Sequence, residues 1–236
     1  MKSLFKGFVF WVMASLTFVT PLPASAGNRV GNGGNAVLCK GDNSKPGAPD
    51  ISDTAELLDF YEADLRFNSK AAISDSPDPA FSLAAKQLKL LGAVHPTLSS
   101  QLLKRLQEIR GERPGQGEIE FKTGAALVPV DDSKHLFTPS DPRCTIVQVA
   151  IRKLEVLPGE KRFLVRKDIW ARLAPLSQAG LLTHELVYEY FFRLGEQDSR
   201  KARAFNSLLY GKALPEMNAG EYWAWMQKLH VPVYPE

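Results

Sequence analysis

The chain has 236 residues, 44% of them hydrophobic and 23% charged, with a formal net charge of +3. That composition excludes a wholly disordered chain, a collagen-like repeat and a multispan membrane protein. The 29 basic residues barely exceed the 26 acidic ones, which is no footprint for nucleic acid, since that partner calls for a strongly basic domain or stripe.

Residues 1–26 read as a secretory signal peptide. Lys2 and Lys6 form a positive start, residues 7–19 are an apolar run, and Ala24-Ser25-Ala26 supplies the small residues that a signal peptidase needs. The run of about 13 residues is too short to span a bilayer core as a helix. An uncleaved anchor is the competing reading, and a lipid anchor would need a Cys directly after the run, whereas the first is Cys39. The expectation is export to the periplasm or the medium, with no stable membrane span after cleavage. Removal of 26 residues leaves 210, carrying 27 basic and 26 acidic side chains. Cys39 and Cys144 are the two cysteines, and an even pair in an exported chain suggests a disulfide, with two buried thiols as the alternative.

Residues 27–52 read as a flexible lead-in, rich in Gly and Asn at first, with a short strand over 36–39. Residues 53–236 read as one α+β domain. Asp53 and Glu56 have capping-box spacing, and Leu57, Leu58, Tyr61 and Leu65 form a helical stripe. Asp78-Pro79 opens a second helix that Gly92 stops. A third follows Pro96, with Leu98, Leu102, Leu103, Leu106 and Ile109 on one face. The N-terminal half is therefore expected to be helical. Residues 118–122, 126–130, 144–151 and 161–166 then read as strands of a small antiparallel sheet in the middle of the chain. The C-terminal part is helical again: a short helix capped by Asp168, a strongly apolar one over 177–193, one capped by Asp198, and a last one with Asn218 and Glu221 at capping-box spacing.

The helix over 177–193 contains His184-Glu185 and Tyr188. In the zincin pattern H-E-x-x-H, two histidines at i and i+4 share a helix face and the glutamate is the general base. Here Tyr188 stands at the second position. Tyr is a poor zinc ligand, so a site with His184 and Tyr188 as ligands and Glu185 as base would need a further donor from His95, His135 or His230. No cofactor is expected otherwise, and zinc is the one candidate. The competing account makes His184 and Glu185 buried polar anchors. Glu185 would then accept from backbone or from Arg200 or Arg203, and His184 would bond a carbonyl near the sheet. Glu189 and Arg193 would form a surface pair.

Four blocks carry a resemblance. Residues 31–39, 57–63 (LLDFYEA), 181–188 (LLTHELVY) and 198–203 (DSRKAR) are similar to those of a group of uncharacterised exported proteins of predatory and related Gram-negative bacteria. That group shares a Gly/Asn-rich mature start, an LLDxYEA helix and an LxxHExxY helix. The resemblance implies no activity, but it implies that Tyr188 belongs to the group's pattern.

No G-x-S-x-G elbow occurs. Asp131, Asp132 and Asp141 lie in a turn-rich loop without a calcium-loop pattern. The pairs Arg152-Lys153, Lys161-Arg162 and Arg166-Lys167 flank the strands and suggest sheet-edge protection or contact with an anionic envelope surface. Trp223 and Trp225 point to different sides of the last helix, and an exposed one could stack on a sugar or meet a peptide. The expected function is a non-enzymatic envelope or interaction protein with an envelope or extracellular partner. The alternatives are a metal-dependent hydrolase on the HExxY helix and a carbohydrate- or peptide-binding module.

Overall fold

The computed structural model describes residues 30–31, 33–41, 53–67, 79–113, 116–123, 127 and 138–231. The expected signal peptide, Asp78, Asp131, Asp132, His135 and, apart from Leu127, the expected strand over 126–130 lie outside them.

Described first are β1 (Val30–Gly31), β2 (Asn35–Cys39), β3 (Thr54–Leu57) and α1 (Leu58–Phe67). The helix expected from Asp53 thus begins five residues later. Thr54 and Glu56 are exposed while Ala55 and Leu57 turn inward, the period-2 alternation of a strand. That alternation pairs with β2 in register from Ala36↔Leu57 to Cys39↔Thr54. Asp53 caps nothing; it accepts from the Gly41 amide and pairs with Arg172. The helices α2 (Ala80–Leu91) and α3 (Pro96–Arg110) follow as the apolar stripes predict, with Leu88, Leu91, Leu98, Leu102, Leu106 and Ile109 buried.

The central strands are β4 (Ile119–Lys122), β5 (Cys144–Gln148), β6 (Ala150–Lys153) and β7 (Phe163–Arg166). They divide between two sheets, ordered β3-β2-β5 and β1-β6-β7-β4, which corrects the single antiparallel sheet expected from the pattern. The apolar run over 144–151 breaks at Val149. The amides of Val149 and Ala150 both donate to the Gly34 carbonyl, so the chain leaves one sheet and enters the other there. β4 and β7 run parallel, from Ile119↔Phe163 to Lys122↔Arg166, while β6 and β7 are antiparallel. β6 lies between β1 and β7, so Arg152 and Lys153 are buried rather than guarding an edge.

The C-terminal helices are α4 (Lys167–Trp170), α5 (Pro175–Arg193), α6 (Arg200–Tyr210) and α7 (Ala219–Lys228). The Asn218–Glu221 capping box of α7 is formed in both directions. α5 is buried on nearly every side from Leu176 to Phe191, as a helix apolar all round must be. Its Leu181, Leu182, Leu186 and Val187 join a core that also takes Leu88 of α2, Leu106 of α3, Phe163 of β7 and Phe205 of α6. Helices and sheets share this core, an α+β arrangement. Cys39 and Cys144, facing each other across β2 and β5, form a disulfide. Among the described residues no helix is long and apolar enough to cross a membrane.

The described part of the segment expected to be a flexible lead-in, residues 30–31 and 33–41, is built into this fold. β1 pairs with β6 through Val30↔Lys153 and Gly31↔Arg152. Gly33 and Gly34 are buried, and a Cβ on Gly33 would fall on the Ala150 carbonyl oxygen while one on Gly34 would strike the Leu181 side chain. Glycine is needed there for close approach of backbone to core.

Candidate functional site

His184 sits in the middle of α5 and is 1% exposed. Its Nδ1 lies 2.8 Å from Asp59 Oδ2, on a carboxylate of α1 that is itself fully buried. The same Asp59 oxygen accepts from Asn206 Nδ2 at 2.8 Å, and Asn206 Nδ2 also donates to the Gly180 carbonyl. Asn206 Oδ1 accepts from the Thr183 hydroxyl at 2.6 Å, and Tyr210 OH lies 3.3 Å from that hydroxyl. One turn along α1, Glu62 accepts from Arg203 Nε at 2.8 Å, and Arg203 Nη1 donates to Ser199 Oγ at 2.6 Å. Ser207 Oγ donates within 3.0 Å of the Asp59 carbonyl. The polar faces of α1, α5 and α6 thus meet in one buried network, and it replaces the carbonyl near the sheet that sequence assigned to His184.

Charge in this network is balanced locally. Burial disfavours a charged His184, but the Asp59 carboxylate, by its charge and its hydrogen bond, outweighs burial and raises the imidazole pKa. An Asp–His pair of this kind fixes the tautomer with Nδ1 protonated. Nε2 and Asp59 Oδ1 have no hydrogen-bond partner, so the pair is enclosed but not fully hydrogen-bonded.

Glu185 points the other way from α5, toward the sheets, and is 5% exposed. Its Oε1 accepts from the Gly34 amide at 2.6 Å; Oε2 has no partner. Burial raises its pKa above the usual carboxylate range, against the opposing charges of His184 and Arg152. Of the donors expected for it, the backbone is the one found, while Arg200 and Arg203 are taken by Asp198 and by Glu62 with Ser199. Arg152 of β6 lies 5.3 Å above the Tyr188 ring and 4.7 Å above the Phe192 ring. It is 4% exposed, and its Nε and Nη2 have no hydrogen-bond partner.

Glu189 continues the polar strip of α5 toward the surface, yet it is itself buried. It accepts from Arg105 Nε at 3.0 Å as well as from Arg193, so the expected surface pair is half of a bridge into α3. Arg105 also makes a two-pronged bond to Glu118, at 2.6 and 2.7 Å. These groups floor a groove of about 320 Å³ whose walls include Lys104, Arg162, Tyr190 and Arg193.

The expected zinc site is not assembled by these positions. Tyr188 is buried, its ring centroid 6.4 Å from that of His184, and its hydroxyl donates to the Gln197 carbonyl at 3.4 Å. His95 is occupied with Tyr222, at 3.0 Å from its hydroxyl. No group of three or more His, Cys, Asp or Glu side chains among the described residues could hold a metal ion. Trp223 and Trp225 are both half-buried: Trp223 packs on His95 and Tyr222, and Trp225 on Phe205.

Asp59, Glu62 and Asn206 were not singled out from sequence as members of a site, and Arg203 was expected at Glu185 rather than at Glu62. Their signal was present: each is a polar residue on the inward stripe of its helix, where an apolar one is the rule. The segments 31–39, 57–63, 181–188 and 198–203 meet here, through Gly34–Glu185, Asp59–His184 and Glu62–Arg203–Ser199. The chain matches no protein-family model, no curated protein and no solved structure.

Proposed function

We propose that this is an exported, non-enzymatic interaction protein of the cell envelope or exterior, in which the HExxY helix is a structural core element. The observation that carries the reading is the commitment of each motif residue to the fold. His184 holds Asp59, Glu185 holds the Gly34 backbone, and Tyr188 reaches the Gln197 carbonyl, all under cover. A catalytic zinc needs three protein donors converging at about 2 Å and one open position; here the residues diverge to three different partners. The disulfide between Cys39 and Cys144 supports export. The charged groove between α3 and α5 supports a binding role, because its Arg105 is held in place by Glu189 and Glu118 before any partner arrives.

The test is zinc retention. Protein purified without chelator is loaded with zinc, desalted and analysed for bound metal beside His184→Asn. The expected result is far less than one zinc per chain in both. One zinc per wild-type chain, lost in a folded His184→Asn variant, would replace this reading with the hydrolase.

A further inference from the structure

The groove between α3 and α5 has its acceptors spent and its donors left over. Arg105 stands at its centre with every guanidinium nitrogen bonded: Nε to Glu189, Nη1 to Glu108 and Glu118, and Nη2 to Glu118. Glu118 accepts from Arg105 on both oxygens, and Arg162 Nε lies 3.3 Å from one of them. Glu189, itself buried, takes Arg105 on one oxygen and Arg193 on the other. The hydrogen bonds from Arg105 hold the Glu118 carboxyl below the usual carboxylate range, against the opposing effect of burial, and so keep it ionised and committed.

We propose that this groove is a binding site for a small organic oxyanion, a carboxylate or phosphate group carried on an apolar or aromatic body. The proposal rests on the reading of the chain as a binding protein and names the ligand class of its groove. The balance of donors and acceptors carries it. Four cations line the groove, Lys104, Arg105, Arg162 and Arg193, against three carboxylates, Glu108, Glu118 and Glu189. Of the carboxylate oxygens, only Glu108 Oε1 is without a donor among the described residues. On the other side of the balance, Arg162 Nη1 and Nη2, Arg193 Nε and Nη1, and the Lys104 ammonium carry no hydrogen bond among the described residues. What the groove still offers a ligand is therefore positive charge and N–H donors.

These donors come from three separate elements. Lys104 is on α3 and Arg193 ends α5. Arg162 precedes β7, and its place is fixed by the next amide, Phe163, which donates to the Glu118 carbonyl ahead of β4. Guanidinium forks bind carboxylate and phosphate oxygens in pairs. Arg105, Glu118 and Glu189 form a bonded floor, and Arg162 and Arg193 are each tethered to it, through Glu118 and Glu189. That tethering limits the side-chain freedom lost on binding. The rest of the lining is apolar or aromatic, from Leu102, Leu186 and half-buried Tyr190. A volume of about 320 Å³ lies at the small end of ligand pockets, which suits a single ring bearing an acid group.

The test is an amide-resolved NMR titration of the whole protein, stripped of metal on a chelating resin because a soluble chelator is itself a polycarboxylate. The probes are phenyl phosphate, benzoate, inorganic phosphate and benzamide. Phenyl phosphate or benzoate should saturate with a Kd of about 1 mM or tighter, moving amides over 101–108 and 186–193, and the tighter of the two assigns the acid group. Inorganic phosphate, which lacks the ring, should bind about tenfold more weakly, and benzamide, which lacks the charge, should not saturate. The Arg162→Gln/Arg193→Gln variant should lose about tenfold in affinity. Lys86→Gln/Lys89→Gln, which removes the same charge from exposed positions of α2, should titrate like wild type. Should the arginine variant not fold, Lys104→Gln at an exposed position carries the same test, with a loss of about threefold. Failure of both organic anions to saturate, a ring-free or uncharged probe that binds as tightly, an equal loss in the α2 control, or unchanged affinity in the groove variant would overturn the proposal. Hydrolysis of phenyl phosphate that disappears in the groove variant would contradict the non-enzymatic reading while supporting the site.

Discussion

Asp59 is the residue on which most of the buried polar network depends. It accepts from both His184 and Asn206 at 2.8 Å with no exposure to solvent. Asp59→Ala would strand the imidazole and the amide together, and breaking a buried charged pair from one side costs about 3–5 kcal/mol. Urea denaturation should show that loss, with a smaller one for Asp59→Asn, which retains an acceptor. The pH dependence follows from the same residues. Folding raises the pKa of His184 from 6.5 and that of Glu185 from 4.5. The folded state therefore binds their protons more tightly. The associated stability is complete below those ordinary values and is lost as pH rises through the folded ones. Glu118 and Asp168, held low by Arg105 and Arg166, act in the opposite sense in acid. Unfolding free energy should thus decline on the alkaline side, and His184→Gln should flatten that decline in a pH series of denaturation curves. A decline of the same steepness in His184→Gln would assign it elsewhere.

At the scale of elements, the chain's helices were legible wherever an apolar stripe at helical spacing coincided with real burial, as in α2, α3 and α7. They were misread at α1 because residues 53–56 fit a capping box and a strand equally well. The alternation of Thr54, Ala55, Glu56 and Leu57 is decided by β2, a neighbour distant in sequence. The run over 144–151 is continuous by composition, and only the Gly34 carbonyl, which draws the amides of Val149 and Ala150, divides it between sheets. The partners of His184 and Glu185 were illegible for the same reason: Asp59 and Gly34 lie 125 and 151 residues away. The glycines of the lead-in make a testable contrast. A Cβ on Gly33 meets the Ala150 backbone, and one on Gly34 meets the end of the Leu181 side chain. Gly33→Ala should cost several kcal/mol, and Gly34→Ala about 1–3 kcal/mol, since a leucine side chain can shift and a strand backbone cannot. Thermal denaturation of the two variants should rank them in that order.

For the whole molecule, the cross-link and the shared core act together. The disulfide joins positions 105 residues apart. A loop of that length is worth up to about 4.7 kcal/mol in the chain-entropy account, and 2–5 kcal/mol is the usual loss on removal. The Cys39→Ala/Cys144→Ala double variant should lose stability within that range, measured by denaturation under non-reducing conditions, while retaining the helical far-ultraviolet signal of the α5 core. The central claim is that His184 serves the fold. It is tested most directly by a double-mutant cycle on Asp59→Asn and His184→Gln, with stabilities measured in the presence of chelator. The account predicts that each single variant is clearly less stable than wild type and that the pair is coupled by about 1–3 kcal/mol. A His184→Gln variant as stable as the chelated wild type, with no coupling to Asp59, would contradict it, because that is how a ligand kept for a metal behaves once the metal is gone.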